Sequence, residues 1–188
     1  MKRIIMIAVV TIMATMTIQA QNIPTGMRME IAESEGDKTE FSIFSYKDED
    51  GTFGYYLGLG RVLHILPLFR DDITDASFDD IKETCIWLGA TTDEAFATID
   101  TILDLYDKDV DTSMEFQGRM ATGSERLGEP STSTCIVKKK TLGGKRLQFL
   151  FTSGGRQAEV YLNKSVVKEL RWDFKADIKL HPKQYGKK

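Results

Sequence analysis

The chain has 188 residues, 41% hydrophobic and 28% charged, with a formal net charge of −3. That apolar content supports one packed domain and excludes a wholly disordered chain, while a net negative charge without a basic binding module excludes ordinary nucleic-acid recognition. Two histidines and two cysteines, none of them closely spaced, exclude the usual zinc motifs.

The first twenty residues, MKRIIMIAVVTIMATMTIQA, place Lys2 and Arg3 before an uncharged run from Ile4 to Ile18 and a small residue, Ala20. This is the layout of a secretory signal peptide. Residues 1–20 are expected to be removed near Ala20, leaving a single domain over 21–188 in a periplasm or outside the cell. The apolar run is shorter than the ~20 residues that span a bilayer, so no stable membrane anchor is expected. Export permits a disulfide between Cys85 and Cys135. Both lie in apolar strand-like runs, ETCIWLG and TSTCIVK, where a buried free thiol is an equally ordinary resident, and the sequence leaves both states open.

The stretch from about 21 to 39 ends in the polar ESEGDKTE and is expected to be mobile. FSIFSYK and TFGYYLGLG then read as two strands joined by the turn DEDG, which is a hairpin. In the second strand Phe53, Tyr55, Leu57 and Leu59 share one face, and Gly54, Gly58 and Gly60 share the other with Tyr56. A face so bare lets something approach the backbone closely: a packed segment, or a ligand in a groove with Tyr56 on its floor. GLGRVL lacks the third glycine of a dinucleotide fingerprint. The region VLHILPLFRDDITDASFDD reads as irregular, with His64 a core or boundary residue.

ETCIWLG reads as a strand and TTDEAFATIDTILDLYDK as a helix. Thr91 and Glu94 form a capping box, and Ala95, Phe96, Ile99, Ile102, Leu103 and Tyr106 recur at helical spacing. The second half offers SMEFQGRM, a loop GSERLGEPSTS, TCIVKKK, KRLQFLF and RQAEVYLN. Apolar residues alternate at Met114, Phe116 and Met120, at Leu147, Phe149 and Phe151, and at Ala158, Val160 and Leu162, as in a sheet covered on one side. NKSVVKELRWDFKADIKL restores helical spacing through Val166, Val167, Leu170, Phe174 and Ile178. The tail from about 182 to 188 is expected to be mobile.

Ile86-Trp87-Leu88-Gly89 enters the first helix much as Val160-Tyr161-Leu162-Asn163 enters the second. The expected fold is therefore α+β: an antiparallel, meander-like sheet, a duplicated β-meander plus helix, with two main helices packed on one face.

Charge is divided by position. Residues 21–111 hold 21 acidic and 7 basic side chains, and residues 112–188 hold 7 acidic and 16 basic. Either the halves pack together and screen one another, or the opposite charges favour self-association or a charged partner.

Candidate chemistry is sparse. LYDKDVDTS places Asp107, Asp109 and Asp111 at the first, third and fifth positions of a calcium loop. Thr112 replaces the required glycine, however, and Gly118 stands where the bidentate glutamate belongs. An EF-hand is rejected; a weak Ca2+ site that offsets acidic residues at a helix C-terminus remains, and no other cofactor is expected. SVVK fits S-x-x-K, but the companion elements of that catalytic set are missing, so Ser165 reads as a residue of the helix start. Asn163-Lys164-Ser165 is also a formal glycosylation sequon. His181 reads as a surface residue at the helix end. On the polar sheet face, Glu115, Gln117, Arg119, Arg146, Gln148, Gln157, Glu159 and Tyr161 point outward with Lys138 or Lys139 among them. Because tyrosine and arginine are enriched where proteins bind proteins, Tyr56, Arg119, Arg146 and Tyr161 are the candidate ligand-binding residues. The expectation is an exported, non-enzymatic binding protein whose partner is a protein or a cell-surface polymer. The alternative is a small secreted hydrolase that acts on glycans or peptides through paired carboxylates.

Overall fold

A computed structural model describes residues 24–36, 39–60, 83–121, 127, 130–141, 143–153 and 156–185. The leader and the stretch 61–82, with His64, lie outside them. Eight strands are present: β1 (Arg28–Gly36), β2 (Thr39–Lys47), β3 (Phe53–Gly58), β4 (Glu83–Gly89), β5 (Ser113–Ala121), β6 (Pro130–Lys139), β7 (Lys145–Ser153) and β8 (Arg156–Leu162). Helix α1 (Thr92–Leu105) follows β4 and helix α2 (Lys164–Leu180) follows β8. Each strand pairs antiparallel with its predecessor in one meander, which curves as a half-barrel with both helices packed on it. Four strands and a helix thus occur twice in succession, the α+β arrangement that the Ile86–Gly89 and Val160–Asn163 echo predicts.

Period-two alternation sorts the side chains. Phe41 and Ile43 of β2, Tyr55 and Leu57 of β3, Ile86 and Leu88 of β4, Phe149 and Phe151 of β7, and Val160 and Leu162 of β8 join one buried cluster with both helices. Helix α2 contributes Val166, Val167, Leu170, Phe174 and Ile178. Phe174 is 0% exposed, with its ring centroid 5.4 Å from Tyr55 and 4.9 Å from Phe96. Burying such a side chain is worth roughly 1.5–3 kcal/mol over leaving it in water.

Helix α1 starts where its capping box predicts. The Thr91 hydroxyl accepts from the Glu94 amide at 3.2 Å, and the Glu94 carboxylate accepts from the Thr91 and Ala90 amides. The Tyr106 hydroxyl donates to the Leu162 carbonyl at 2.8 Å, tying the end of α1 to the end of β8. Helix α2 reaches back over β1, where the Ser34 hydroxyl donates to Glu169 at 2.8 Å.

Several expectations are corrected. The stretch expected to be mobile from 21 to 39 contains β1. Its alternation is hidden because a bulge between Glu30 and Ala32 shifts the register and because its fully buried positions are the small residues Ala32 and Ser34. The expected mobile tail contains a 3-10 turn, Pro182–Tyr185, whose Tyr185 is buried against Phe174 and Tyr55. Strand β6 begins at Pro130, inside the run read as a loop, and its Ser133 hydroxyl satisfies itself on the Leu150 carbonyl. Met114 shares the face of Phe116 but is 39% exposed.

Cys85 and Cys135 are both buried and are not joined in a disulfide. Cys135 belongs to the concave core and Cys85 to a cluster on the outer face. Their strands are separated by β5. Two strand spacings of about 4.8 Å already exceed the ~7 Å limit on Cα separation in a disulfide.

Candidate functional site

The outer face of the sheet carries all four residues expected to bind a ligand, and the structure arranges them as two different pairs. The first pair belongs to an aromatic ladder across β2, β3 and β4, where register sets Phe44 opposite Tyr56 and Tyr56 opposite Trp87. The Phe44 and Tyr56 rings stack at 5.5 Å between centroids, and Trp87 meets Tyr56 edge-on at 5.1 Å. Arg119 of β5 lies over the Tyr56 ring, its Cζ 5.8 Å from the centroid. Its guanidinium is already engaged by Asp48, with Nη2–Oδ2 at 2.6 Å and Nη1–Oδ1 at 3.1 Å.

Tyr56 is not the floor of an open groove. Its ring is 1% exposed, and burial pushes its hydroxyl well above the ordinary tyrosine range. The bare face made by Gly54 is filled by Trp87, and the approach at Gly60 is made by Thr39 and the Glu40 backbone. Close approach does occur at these glycines, and its agents are segments of the same chain.

The second pair is different in kind. Arg146 of β7 lies flat on Tyr161 of β8, with Cζ 3.7 Å from the ring centroid. The Arg146 Nε is buried without a hydrogen-bond partner among the described residues, and Tyr161 is 36% exposed. Gln148 donates to Glu159 at 2.8 Å and to the Tyr161 hydroxyl at 3.3 Å. Hydrogen bonds from Tyr161 and then Gln148 hold the Glu159 carboxyl below its usual range, and the same bond to Glu159 raises the Tyr161 hydroxyl. The result is a half-buried planar cation on an aromatic base, within a fixed polar frame.

The acidic loop after α1 does not gather its carboxylates. Asp107 pairs with Lys164 at 2.9 Å and Asp111 with Lys138 at 2.9 Å. Asp111 takes a left-handed backbone, φ 67°, which its short polar side chain tolerates, and its amide donates to the Val137 carbonyl. The hydrogen bond to Lys164, and then that ammonium's charge, keep the Asp107 carboxyl below its ordinary value. The Lys164 ammonium stands at the negative end of α1. Among the described residues no group of three or more carboxylate, histidine or cysteine side chains is placed to hold a metal ion, Asp109 included.

Part of the charge division is spent inside the molecule. Asp48–Arg119, Asp100–Arg171, Asp107–Lys164 and Asp111–Lys138 each join an acidic residue of the first half to a basic residue of the second. Ser165 and Lys168 are both exposed on α2. Asn163 occupies the N-cap position without a side-chain capping bond. His181 is on the surface, its Nδ1 2.8 Å from Asp177.

Trp172, 70% exposed in the middle of α2, was missed by the reading of strand faces. Its signal was available: Lys168, Trp172, Lys175 and Lys179 recur at helical spacing opposite the apolar positions. No described helix is long and apolar enough to cross a membrane. No protein-family model, curated protein or solved structure matches the chain.

Proposed function

We propose that the protein is a non-enzymatic binding protein, exported by its N-terminal leader, which takes a protein or cell-surface polymer on the outer face of β6–β8. The observation that carries this reading is the Arg146–Tyr161 stack. Arginine and tyrosine dominate binding hot spots because each offers a large rigid surface and directed hydrogen bonds at small entropic cost. Arg119 has spent its donors on Asp48, whereas Arg146, half-buried on the Tyr161 ring, is held by no carboxylate among the described residues. A carboxylate or phosphate on a partner is the complement of such a guanidinium.

The hydrolase reading has less support. A glycosidase acid needs a carboxyl held above its ordinary value. Asp50, Asp107 and Glu159 are instead held below theirs by hydrogen bonds, and Asp48, Asp100 and Asp111 are tied to cations. Head-to-tail self-association through opposite charge has less support for the same reason.

A photo-crosslinking residue at Gln148, between the two halves of the stack, tests the proposal in the producing cell. One discrete adduct is expected, and it should vanish on Arg146→Glu with the fold intact. Absence of any adduct overturns the proposal, as does turnover of a glycan or peptide that is lost on substituting a single carboxylate.

A further inference from the structure

The outer side of α2 carries a row of cations. Lys164, Lys168, Arg171, Lys175 and Lys179 recur at spacings of three and four, so they share one side of the helix. Asp107 holds Lys164 and Asp100 holds Arg171. Lys168, Lys175 and Lys179 are exposed, and no described carboxylate pairs with them. Like charges at this spacing repel, so the row leaves an unbalanced positive strip along the helix.

Beside the strip, between α1 and α2, lies a groove of about 460 Å³ lined by Phe96, Arg171, Lys175, Ile178, Lys179 and Pro182. Its floor is hydrocarbon. The Phe96 ring stacks on Phe174 at 4.9 Å and carries Arg171 over its face at 5.4 Å, and Ile178 and Pro182 continue the apolar surface. Every charged side chain in the lining is a cation. Small-molecule sites combine an apolar wall with a few placed polar groups in roughly 300–1,000 Å³, and this groove has that composition.

We propose that the groove binds a single-chain carboxylate amphiphile, a free fatty acid, independently of the sheet-face partner above. The carboxylate is held by the Lys175 and Lys179 ammoniums, and the chain lies along Phe96, Ile178 and Pro182. Arg171 is neutralised by Asp100, so two unbalanced ammoniums remain for one headgroup. A bilayer is the less suitable occupant, because α1 presents Asp93, Glu94 and Asp104 to solvent and these repel an anionic membrane surface.

The test is calorimetric titration of the protein with dodecanoate below its micelle concentration, with the fluorescence of the exposed Trp172 as a second reading. Dodecyl maltoside and phosphatidylglycerol vesicles serve as separate arms. Saturable one-to-one binding of dodecanoate is expected, weakened about ten-fold or more in Lys175→Glu/Lys179→Glu, a loss of at least ~1.4 kcal/mol. The milder Lys175→Gln/Lys179→Gln should weaken it in the same direction, and Lys168→Glu, outside the groove, should leave it unchanged. Three results overturn the proposal: no saturable binding, equal affinity in the double variants, or binding to the vesicles alone, which would make α2 a membrane-docking face.

Discussion

The indole of Trp87 occupies the space that a side chain at Gly54 would need: a Cβ there would lie 1.8 Å from Trp87 Cζ3. The two residues sit on neighbouring strands, and the absence of one side chain is the condition for the other's position. Gly54→Ala is therefore expected to destabilise the protein by about 1–3 kcal/mol through overpacking. Adding Trp87→Ala should return part of that loss, and a chemical-denaturation cycle measures the coupling. Strictly additive effects would mean that the indole moves aside without cost.

Asp48 and Arg119 join the turn after β2 to β5 through two hydrogen bonds, with side chains only 19% and 16% exposed. Arg119→Met leaves a half-buried carboxylate without its donors and should cost about 1.5–3 kcal/mol. Asp48→Asn should cost less, because the amide oxygen still accepts. If Arg119→Met unfolds at the wild-type urea midpoint, the pair contributes nothing net.

Neither thiol should react with a disulfide reagent in the native protein near neutral pH, and both should react once it is unfolded. Burial pushes the Cys135 thiol up to about 12 from a reference of 9.0. The folded state then keeps a proton that the unfolded chain releases above pH 9.0, so stability is complete below that pH and falls as pH rises toward about 12. Tyr106 and Tyr185, also raised by burial, add to the decline above 10.0. Cys135→Val should delay the onset of the decline, read as urea midpoints between about pH 8 and pH 10. An onset unchanged in the variant assigns the decline to the tyrosines.

Millimolar calcium should leave the melting temperature unchanged, because Lys164 and Lys138 already neutralise Asp107 and Asp111. A rise of several degrees, of the size that ligand binding far above its Kd produces, would show that a cation displaces those lysines. Asp109→Asn is the variant that should then remove the rise.

Strands with one apolar face were legible because a residue that alternates inward is also one that must be apolar. Phe149, Phe151, Val160 and Leu162 follow that rule, and Thr91 with Glu94 marks the start of α1. β1 was not legible, since its bulge breaks the period and its buried Ser34 is satisfied by Glu169, a residue 135 positions away. The candidate site was half legible. Outward orientation of Tyr56, Arg119, Arg146 and Tyr161 followed from alternation. That Asp48 engages Arg119 and not Arg146 depends on which strands become neighbours, which no local pattern encodes.

Each strand after β1 pairs with its predecessor, while α2, which follows them all, packs on β1 at the opposite end of the order. A chain delivered from its N-terminus, by a ribosome or through a translocation pore, can zip its hairpins in sequence but cannot roof its concave face until that helix arrives. A product truncated or clipped before Lys164 lacks Phe174, Leu170 and Val167 and displays the surface they cover, the kind of exposure that directs a chain to proteolysis or aggregation.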